Sequence, residues 1–313
     1  MKFRNLGRSG LRVSEIGLGC NNFGSRIDFE ASRKVAHKAL DLGINFFDTA
    51  DTYGERGGSE ACLGQILGER RKEIVLASKF GMRMDDAGTL MGGSRRYIMR
   101  AVEDSLRRLK TDWIDLYQFH QPDPLTPIEE TLRALDDLVH AGKVRYIGCS
   151  NLRGWEVVEA EWMARAGGFT PFASCQDEYS LLVRGIEAEL IPAMTRYGLG
   201  LLPYFPLASG LLTGKYRAGT KLPEGSRLAA DWMRLKDRFL TETNWQRAEK
   251  LRAFAEARGH ALLELAISWL LARPGVASVI AGAARPEQLA ANAEAGGWEL
   301  SAEDFAEIDR ITL

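Results

Sequence analysis

Apolar runs with strand-like character alternate with runs of helical period along almost the whole chain, and this alternation constrains the fold most. The helical period is clear in Arg95–Leu109, where Ile98, Val102 and Leu106 share one face. Eight strand–helix units in strict alternation fit a closed parallel barrel better than a sandwich or a bundle. The predicted strands are Ile16–Leu18, Phe46–Phe47, Ile74–Ala77, Ile114–Gln118, Val144–Gly148, Ala173–Cys175, Leu199–Leu202 and Val276–Ile280. The predicted helices are Phe29–Leu42, Glu60–Glu69, Arg95–Leu109, Pro127–Ala141, Trp155–Arg165, Glu187–Tyr197, His260–Leu271 and Pro286–Ala293.

Four further segments lie outside these eight units. Lys2–Asn5 and Leu11–Val13 flank two glycines, which predicts an N-terminal β-hairpin. Trp245–Arg258 and Ala302–Ile311 predict two extra helices. An α/β barrel typically needs about 250 residues, and no linker rich in Pro, Gly or Ser divides the chain. We therefore expect one domain over residues 1–313.

The composition excludes several classes of protein. The 41 basic and 42 acidic residues nearly balance, so no overall field attracts nucleic acid or an acidic membrane. No apolar run reaches the roughly 18 residues of a membrane span, and no signal peptide begins the chain. The four cysteines form no CxxC pair and the four histidines are far apart, which argues against a metal site. We expect a cytoplasmic protein without metal, nucleic acid or membrane partners, and the sequence predicts no oligomeric state.

Two phosphate-binding motifs are present only in part. Gly17 and Gly19 follow a predicted strand, but Asn22 stands where the third glycine of a dinucleotide fingerprint belongs. The segment from Gly210 to Lys215 resembles a P-loop but has one residue too few between its glycines. The sequence therefore supports neither a Rossmann domain nor a P-loop nucleotide-binding site.

Four ionisable side chains follow three successive predicted strands. Asp48 and Tyr53 come after the second strand, Lys79 after the third, and His120 after the fourth. Each has an ordinary alternative: a turn cap, a loop aromatic, a solvated lysine, or a hydrogen-bonded structural histidine. Together they would meet at the carboxyl-end face, where barrel enzymes build their active sites. The pattern therefore predicts an active site there.

The sequences around these residues resemble the aldo-keto reductase family. The matching segments follow one another in the family's order, up to Asn292, and cover nearly the whole chain. They are Leu6–Gly19, Phe47–Gly54, Ser78–Phe80, Gln118–His120, Lys143–Asn151 and Pro206–Tyr216. The resemblance implies a single (β/α)8 TIM barrel and an NADPH-dependent oxidoreductase that reduces the aldehyde or ketone group of a small molecule.

The resemblance also implies a catalytic tetrad of Asp48, Tyr53, Lys79 and His120, with Tyr53 as the proton donor. A free tyrosine has a pKa near about 10, too high for ready proton exchange at neutral pH. A cation about 4 Å away is worth up to about 4 kcal/mol at an effective dielectric near 20. Lys79 would thus lower the tyrosine pKa before the cost of burial subtracts, and Asp48 would hold Lys79. His120 would orient the substrate oxygen, and the cofactor would supply hydride.

By the same resemblance, side chains after the later strands bind NADPH (NADP+). Ser150, Asn151 and Gln176 would hydrogen-bond the nicotinamide carboxamide, and Tyr204 would stack on the ring. Their ordinary alternatives are a turn after a strand and an aromatic at the barrel rim. A glycine-rich segment would cradle the diphosphate through backbone N–H groups. Its expected contacts are Leu207, Ser209, Gly210, Leu211 and Lys215.

The start of the last barrel helix is expected to bind the adenosine part of the cofactor. Gly282 and Arg285 precede the helix, and Gln288 and Asn292 lie four residues apart on one face. A helix N-terminus and a guanidinium both favour the 2′-phosphate. Many relatives carry a glutamate where this chain has Ala291, so one adenine contact is absent or supplied elsewhere.

Three other functions fit parts of the pattern. They are a Schiff-base aldolase using Lys79, a sugar or alcohol dehydrogenase working in the oxidative direction, and a cofactor-binding regulatory subunit with slow turnover. The aldolase has no need for Tyr53 or for the glycine-rich segment. The regulatory subunit is considered because some members of the family dock on ion channels. The substrate itself is not predicted; candidates for the cavity mouth are Phe23, Phe80, Trp113, Tyr146 and the charged loop Arg217–Asp237.

Overall fold

The computed structural model describes residues 1–217, 219–230 and 234–313. Within them, eight parallel strands form one sheet and two short antiparallel strands form an N-terminal hairpin. The hairpin strands are β1 (Phe3–Asn5) and β2 (Arg12–Ser14). The sheet strands are β3 (Ile16–Gly19), β4 (Phe46–Asp48), β5 (Val75–Phe80), β6 (Ile114–Phe119), β7 (Val144–Ser150), β8 (Ser174–Glu178), β9 (Gly200–Tyr204) and β10 (Val279–Gly282). The predicted parallel sheet and hairpin are confirmed.

The sheet curls into a nearly closed barrel. Its order is β10-β3-β4-β5-β6-β7-β8-β9, so each strand from β3 to β8 pairs with the next in the chain, and β10 pairs with β3. The gap between β9 and β10 is bridged by Leu201 and Val276, with two backbone hydrogen bonds from Leu201 N to Gly275 O (2.8 Å) and from Ala277 N to Leu201 O (2.9 Å). Strand β10 begins three residues after the predicted start because Val276 makes this bridge instead.

Helices follow the strands and cover the outside of the barrel, as the alternation predicts. They are α1 (Phe29–Asp41), α2 (Tyr53–Ile66), α3 (Arg95–Leu109), α4 (Ile128–His140), α5 (Gly154–Gly167), α6 (Leu190–Tyr197), α9 (Leu262–Leu271) and α10 (Pro286–Glu294). The two predicted extra helices are α8 (Glu242–Glu256) and α11 (Ala302–Thr312), and a short helix α7 (Leu235–Phe239) was not predicted. The predicted loop Arg217–Asp237 includes residues 218 and 231–233, which lie outside the described residues.

Two apolar layers hold the barrel. Side chains alternate along each strand, so one set points into the barrel and the other meets the helices. The inner set includes Phe46, Leu116 and Leu202, and Leu6 of the hairpin packs with them. The hairpin is anchored from Arg8 N to Gly198 O (2.8 Å). The hairpin therefore fills the amino end of the barrel and leaves the carboxyl ends of the strands open.

No helix within the described part of the chain has an apolar stretch long enough to cross a bilayer.

Candidate active site

A cavity of about 980 Å³ opens at the carboxyl ends of the strands. Its wall includes the last residues of β3, β4, β7, β9 and β10, which shows that the barrel itself positions the site. Most of the predicted site residues line it. Those in the wall are Asp48, Tyr53, His120, Ser150, Asn151, Gln176, Tyr204, Leu207, Ser209, Gly210, Lys215, Gly282, Arg285, Gln288 and Asn292.

Lys79 lies beneath the cavity floor and joins the acidic and phenolic groups. Its ammonium donates to Asp48 Oδ2 (2.6 Å), to the Thr49 carbonyl (2.9 Å) and to Tyr53 Oη (3.3 Å). The lysine side chain is 0% exposed. Burial alone would lower the pKa of Lys79, but Asp48 and Tyr53 raise it above its usual value. The lysine therefore stays charged at neutral pH.

Asp48 is held by amides as well as by the lysine. Gln176 Nε2 donates to Asp48 Oδ1 (2.8 Å), and Gln118 Nε2 donates to the same oxygen (3.2 Å). All three side chains are buried, on the strands β4, β6 and β8. Charge-assisted hydrogen bonds of this kind stabilise a buried carboxylate, so Asp48 fixes the position of Lys79.

Tyr53 stands above Lys79 and beside His120. The rings of Tyr53 and His120 meet edge to face, with centroids 5.7 Å apart. Burial raises the pKa of Tyr53; the charge of Lys79 opposes this rise, and that of Asp48 adds to it. Lys79 acts to lower the pKa, as the sequence argument expected, but the cost of burial, which that argument left to be subtracted, is the larger effect. Tyr53 consequently remains protonated at neutral pH.

His120 is a neutral imidazole in this setting. Burial, and then the nearby charge of Lys79, lowers the pKa of His120 well below its usual value. Its Nδ1 atom is buried and has no hydrogen-bond partner among the described residues. A neutral imidazole can donate one hydrogen bond and accept another, so it can orient a polar ligand without competing as an acid.

Of the residues expected at the nicotinamide, Ser150, Asn151 and Tyr204 form one hydrogen-bonded group, whereas the Gln176 side chain bonds Asp48 and Gln118. Asn151 Nδ2 donates to the His120 carbonyl (2.9 Å) and to Ser150 Oγ (3.0 Å). Tyr204 Oη donates to Asn151 Oδ1 (2.8 Å). Asn151 has a left-handed backbone (φ 60°) that turns its side chain back over the strand end. The group ties β6, β7 and β9 together at the cavity.

The glycine-rich segment after β9 turns through three left-handed residues, Ala208 to Gly210. At Gly210 (φ 96°) a Cβ would lie 2.8 Å from Lys215 Nζ, so a side chain there would displace the lysine. Ser209 Oγ is buried without a partner among the described residues. Leu211 differs from the expectation, since its side chain packs in the core and does not line the cavity.

Arg285 directly precedes α10, and Pro286 is the first residue of that helix, as the sequence indicated. The Arg285 side chain is exposed and makes no hydrogen bond or ion pair within the described residues. Gln288 Oε1 accepts from Ala284 N (2.9 Å), and Asn292 is buried. Ala291 lines the cavity.

Three arginines of the cavity wall were not singled out by the sequence argument, although Arg227 belongs to the loop Arg217–Asp237 that it named as a candidate for the mouth. Arg227 donates to Asn22 Oδ1 (2.8 Å), and burial together with the charge of Arg26 lowers its pKa to about 10. Burial also lowers the pKa of Arg26. Arg238 pairs with the buried Glu178. All three belong to loops or to the short helix α7, where no periodic pattern marks a residue in advance.

The prediction for the cavity mouth was wrong for its aromatic residues. Phe23 and Phe80 are fully buried in the core, and Tyr146 packs against the inner barrel layer. Trp113 lies under the guanidinium of Arg71 (4.7 Å), away from the cavity. Met82, Gln121 and Glu55 line the cavity instead.

Comparison with known proteins decides the family, since the sequence pattern of the Aldo/keto reductase family matches residues 15–312. The chain belongs to the aldo/keto reductase family. Members reduce small carbonyl compounds with a nicotinamide cofactor, NADH or NADPH, and this aldo/keto reductase is an oxidoreductase of that kind. The family resemblance inferred from the sequence is confirmed.

Its relatives carry different names. The L-glyceraldehyde 3-phosphate reductase of Escherichia coli O157:H7 is 36% identical, over 99% of this chain and 92% of its own. The probable voltage-gated potassium channel subunit beta of Oryza sativa subsp. japonica is 36% identical, over 94% and 91% of the two chains. The uncharacterized oxidoreductase YrpG of Bacillus subtilis (strain 168) is 38% identical, over 92% and 89%.

The aldolase alternative does not fit this aldo/keto reductase. A Schiff base needs an uncharged lysine that reaches the substrate. Lys79 is fully buried, does not line the cavity, and has its pKa raised by Asp48 and Tyr53 against the effect of burial. Its ammonium is also held by three oxygens. The lysine can act only through the groups it contacts.

Proposed function

We propose that this chain is an NADPH-dependent reductase that converts the aldehyde or ketone group of a small molecule to an alcohol, with Tyr53 as the proton donor. One domain, residues 1–313, would carry the reaction. The observation that carries the proposal is the contact chain in which Lys79 Nζ lies 2.6 Å from Asp48 Oδ2 and 3.3 Å from Tyr53 Oη. Tyr53 in turn lines the cavity.

The residues would divide the work as follows. The neutral imidazole of His120 would bind the substrate oxygen beside Tyr53 and set its orientation. NADPH, when bound, supplies the hydride. Tyr53 would deliver its hydroxyl proton to that oxygen, and the charge of Lys79 would stabilise the phenolate left behind. Asp48 would keep Lys79 in place during the transfer.

The residues present fit a phosphorylated dinucleotide. Ser209 Oγ lacks a partner among the described residues, and Lys215, Arg227 and Arg26 bring three cations to the same part of the wall. The charges of Arg26 and Arg227 are close enough to act on each other, which an anion such as a diphosphate would relieve. Arg285 at a helix N-terminus favours a further phosphate, and NADPH has one where NADH has none.

The test is a turnover screen of the purified chain with aldehydes, ketoses and aromatic carbonyls. NADPH oxidation is followed by absorbance, and NADH runs in parallel. We expect turnover of at least one carbonyl class. At low cofactor concentration, the rate with NADPH should exceed the rate with NADH. Oxidation of the matching alcohols with NADP+ measures the reverse direction and decides whether the dehydrogenase alternative describes the chain better. No turnover in either direction would contradict the proposal.

A second candidate is a cofactor-binding regulatory subunit. It is favoured by one observation, the similarity over 94% of this chain to a protein named as a probable potassium channel subunit beta. The cavity residues do not separate the two functions. The same screen does, because a regulatory subunit would bind NADPH tightly in a fluorescence titration and turn over every carbonyl slowly.

A further inference from the structure

A second group of ionisable side chains lies behind the turn that carries Tyr53. We call Asp51, Glu60, Tyr97, Arg108 and Tyr117 the rear cluster. None of the five lines the cavity. Asp51 is 1% exposed, and Glu60 and Tyr117 are 0% exposed. The mechanism proposed above uses none of them, although the cluster touches the same turn.

Glu60 is the well-paired acid of the rear cluster. Ser78 Oγ donates to Glu60 Oε1 (2.5 Å), and Arg108 Nε donates to Glu60 Oε2 (2.7 Å). At Gly57 (φ 115°) a Cβ would lie 2.5 Å from Arg108 Cδ, so a side chain there would displace the arginine. Both oxygens of Glu60 therefore have donors, as an ionised carboxylate requires.

Asp51 is the poorly paired acid. Tyr97 Oη donates to Asp51 Oδ2 (3.0 Å). Asp51 Oδ1 is buried and has no partner within the described residues, and the same is true of the Tyr117 hydroxyl. A buried carboxylate oxygen without a donor costs free energy. A carboxylic acid, which is neutral, avoids most of that cost.

The charges of the rear cluster also favour a protonated Asp51. Its ionisable acids are two carboxyl groups, and its cation is the single guanidinium of Arg108. Glu60 is in direct contact with that guanidinium, so an ionised Asp51 would leave one buried negative charge uncompensated. Burial, and then the charge of Glu60, raises the pKa of Asp51 to about 8, while Tyr97, Arg108 and the backbone N–H of Thr52 act in the opposite direction.

The turn connects Asp51 to the catalytic group in two ways. Asp51 N donates to the Lys79 carbonyl (3.1 Å), while the Lys79 ammonium donates to the Thr49 carbonyl (2.9 Å). The turn and β5 are thus tied in both directions. The charge of an ionised Asp51 also reaches the Tyr53 hydroxyl, whose pKa burial, Asp48 and Asp51 all raise. A neutral Asp51 leaves Tyr53 the stronger acid.

We propose that Asp51 is a positioning residue that works in its protonated form, holding the turn Thr49–Tyr53 to α3 through Tyr97 and sparing the proton donor a second nearby negative charge. This inference rests on the proposed function, in which Tyr53 is the acid. Ionisation of Asp51 at alkaline pH would then lower turnover before Tyr53 itself titrates.

The catalytic test compares the wild type with Asp51→Asn, which is neutral at every pH. We expect kcat/KM of the wild type to fall severalfold as pH rises through about 8. The asparagine variant should lack this decrease and keep most of the neutral-pH rate. A matched control is Glu161→Gln, which removes a buried acid paired with Arg8 and Arg165 far from the cavity. The control should lose stability but keep the wild-type pH profile.

A stability measurement tests the proton without relying on turnover. A native Asp51 that keeps its proton up to about pH 8 binds more protons than the unfolded chain above about pH 4. The unfolding equilibrium constant of the wild type, divided by that of Asp51→Asn, should therefore rise with pH between these limits, by up to about tenfold per pH unit. Urea titrations at several pH values measure this ratio.

The two measurements together test three separate claims: the protonation of Asp51, its link to catalysis, and the proposed function. A ratio that stays constant with pH would show that Asp51 is already ionised, which overturns the inference even if the enzyme is active. A rising ratio with an unchanged alkaline decrease in Asp51→Asn would overturn the link to catalysis. A rising ratio in a chain that turns over no carbonyl would refute the proposed function instead and leave Asp51 without a catalytic role.

Discussion

The two parts of the cavity wall are built differently. The proposed catalytic part presents Asp48, His120 and the adjoining Tyr53 at the ends of β4 and β6, with Lys79 of β5 buried beneath them and joined to Asp48 and Tyr53 by short contacts. The proposed cofactor part depends on the segment after β9 and on the start of α10. There, Arg285 has no internal partner among the described residues, and Ser209 Oγ is also unpaired.

The side chains of the first part are therefore positioned before any ligand binds, whereas those of the second part acquire their partners from the ligand. Electrostatic catalysis is efficient when charged groups are fixed before the reaction. Binding of a large anion can instead tolerate mobile cations, because the ligand itself orders them at a cost in entropy. Substitutions in the two parts should accordingly change different quantities: turnover in the first, and cofactor affinity in the second.

The largest expected effect is that of Tyr53→Phe. It removes the proposed proton donor and almost no volume, so kcat should fall by about 10³-fold, within the range for general acid catalysis. NADPH affinity, measured by fluorescence titration, should change less than twofold. Wild-type turnover on every substrate would show that Tyr53 is not the acid.

Lys79→Met comes next. Turnover should fall by at least about a hundredfold, and the apparent pKa of Tyr53 should rise further because the opposing charge is gone. The variant also leaves Asp48 buried without its cation, which should cost about 3–5 kcal/mol of unfolding free energy. Urea unfolding measures that loss separately from the pH–rate profile. A pH–rate profile of unchanged shape would count against the electrostatic role of Lys79. Covalent trapping of substrate on Lys79 of the wild type by borohydride would support the aldolase alternative instead.

Arg285→Ala tests the cofactor part of the wall. NADPH binding should weaken by roughly 1.5–3 kcal/mol, the value of a hydrogen bond to a charged group, whereas NADH binding should barely change. Turnover at saturating NADPH should stay near the wild-type value. Equal losses for the two cofactors would mean that Arg285 does not read the 2′-phosphate.

The smallest effect is expected for Arg26→Gln. A half-buried guanidinium near a diphosphate should contribute about 1 kcal/mol or less, and equally for NADPH and NADH, since both contain the diphosphate. Arg33→Gln is the matched control, because Arg33 pairs with Glu30 on α1 outside the cavity. If only NADPH binding suffers in the Arg26 variant, this arginine belongs to the 2′-phosphate site instead.

Most of the fold could be predicted from the sequence, because barrel strands and their covering helices leave strong periodic patterns. The errors lie where tertiary contacts decide. Val276 is of a residue type that favours strands, but it forms an isolated bridge to Leu201 before β10 begins. The chain from Gly54 to Gly57 is left-handed throughout, although Glu55 and Arg56 carry side chains that disfavour this conformation. No local pattern predicts either feature.

The candidate site divides in the same way. Asp48, Lys79 and His120 could be placed beside one another because strand ends share one face of a barrel, and Tyr53 because it follows soon after Asp48. The depth of burial could not be predicted, so the direction of the Lys79 effect on the pKa of Tyr53 was foreseen but the larger and opposite effect of desolvation was not. Arg227 belongs to a long loop, where neither spacing nor periodicity indicates which charge turns inward.

The nearly closed barrel has a consequence for how the protein opens. Strand β9 meets the segment before β10 through a single bridged pair and two backbone hydrogen bonds, so this junction is the weakest seam of the sheet. Tyr204 and the glycine-rich segment lie on one side of the seam, and Gly282 and α10 lie on the other. A dinucleotide bound across this junction would hold its two sides together. Its binding free energy would add to the free energy required to open the junction locally. Amide hydrogens near Leu201 and Ala277 should therefore exchange more slowly as cofactor concentration rises.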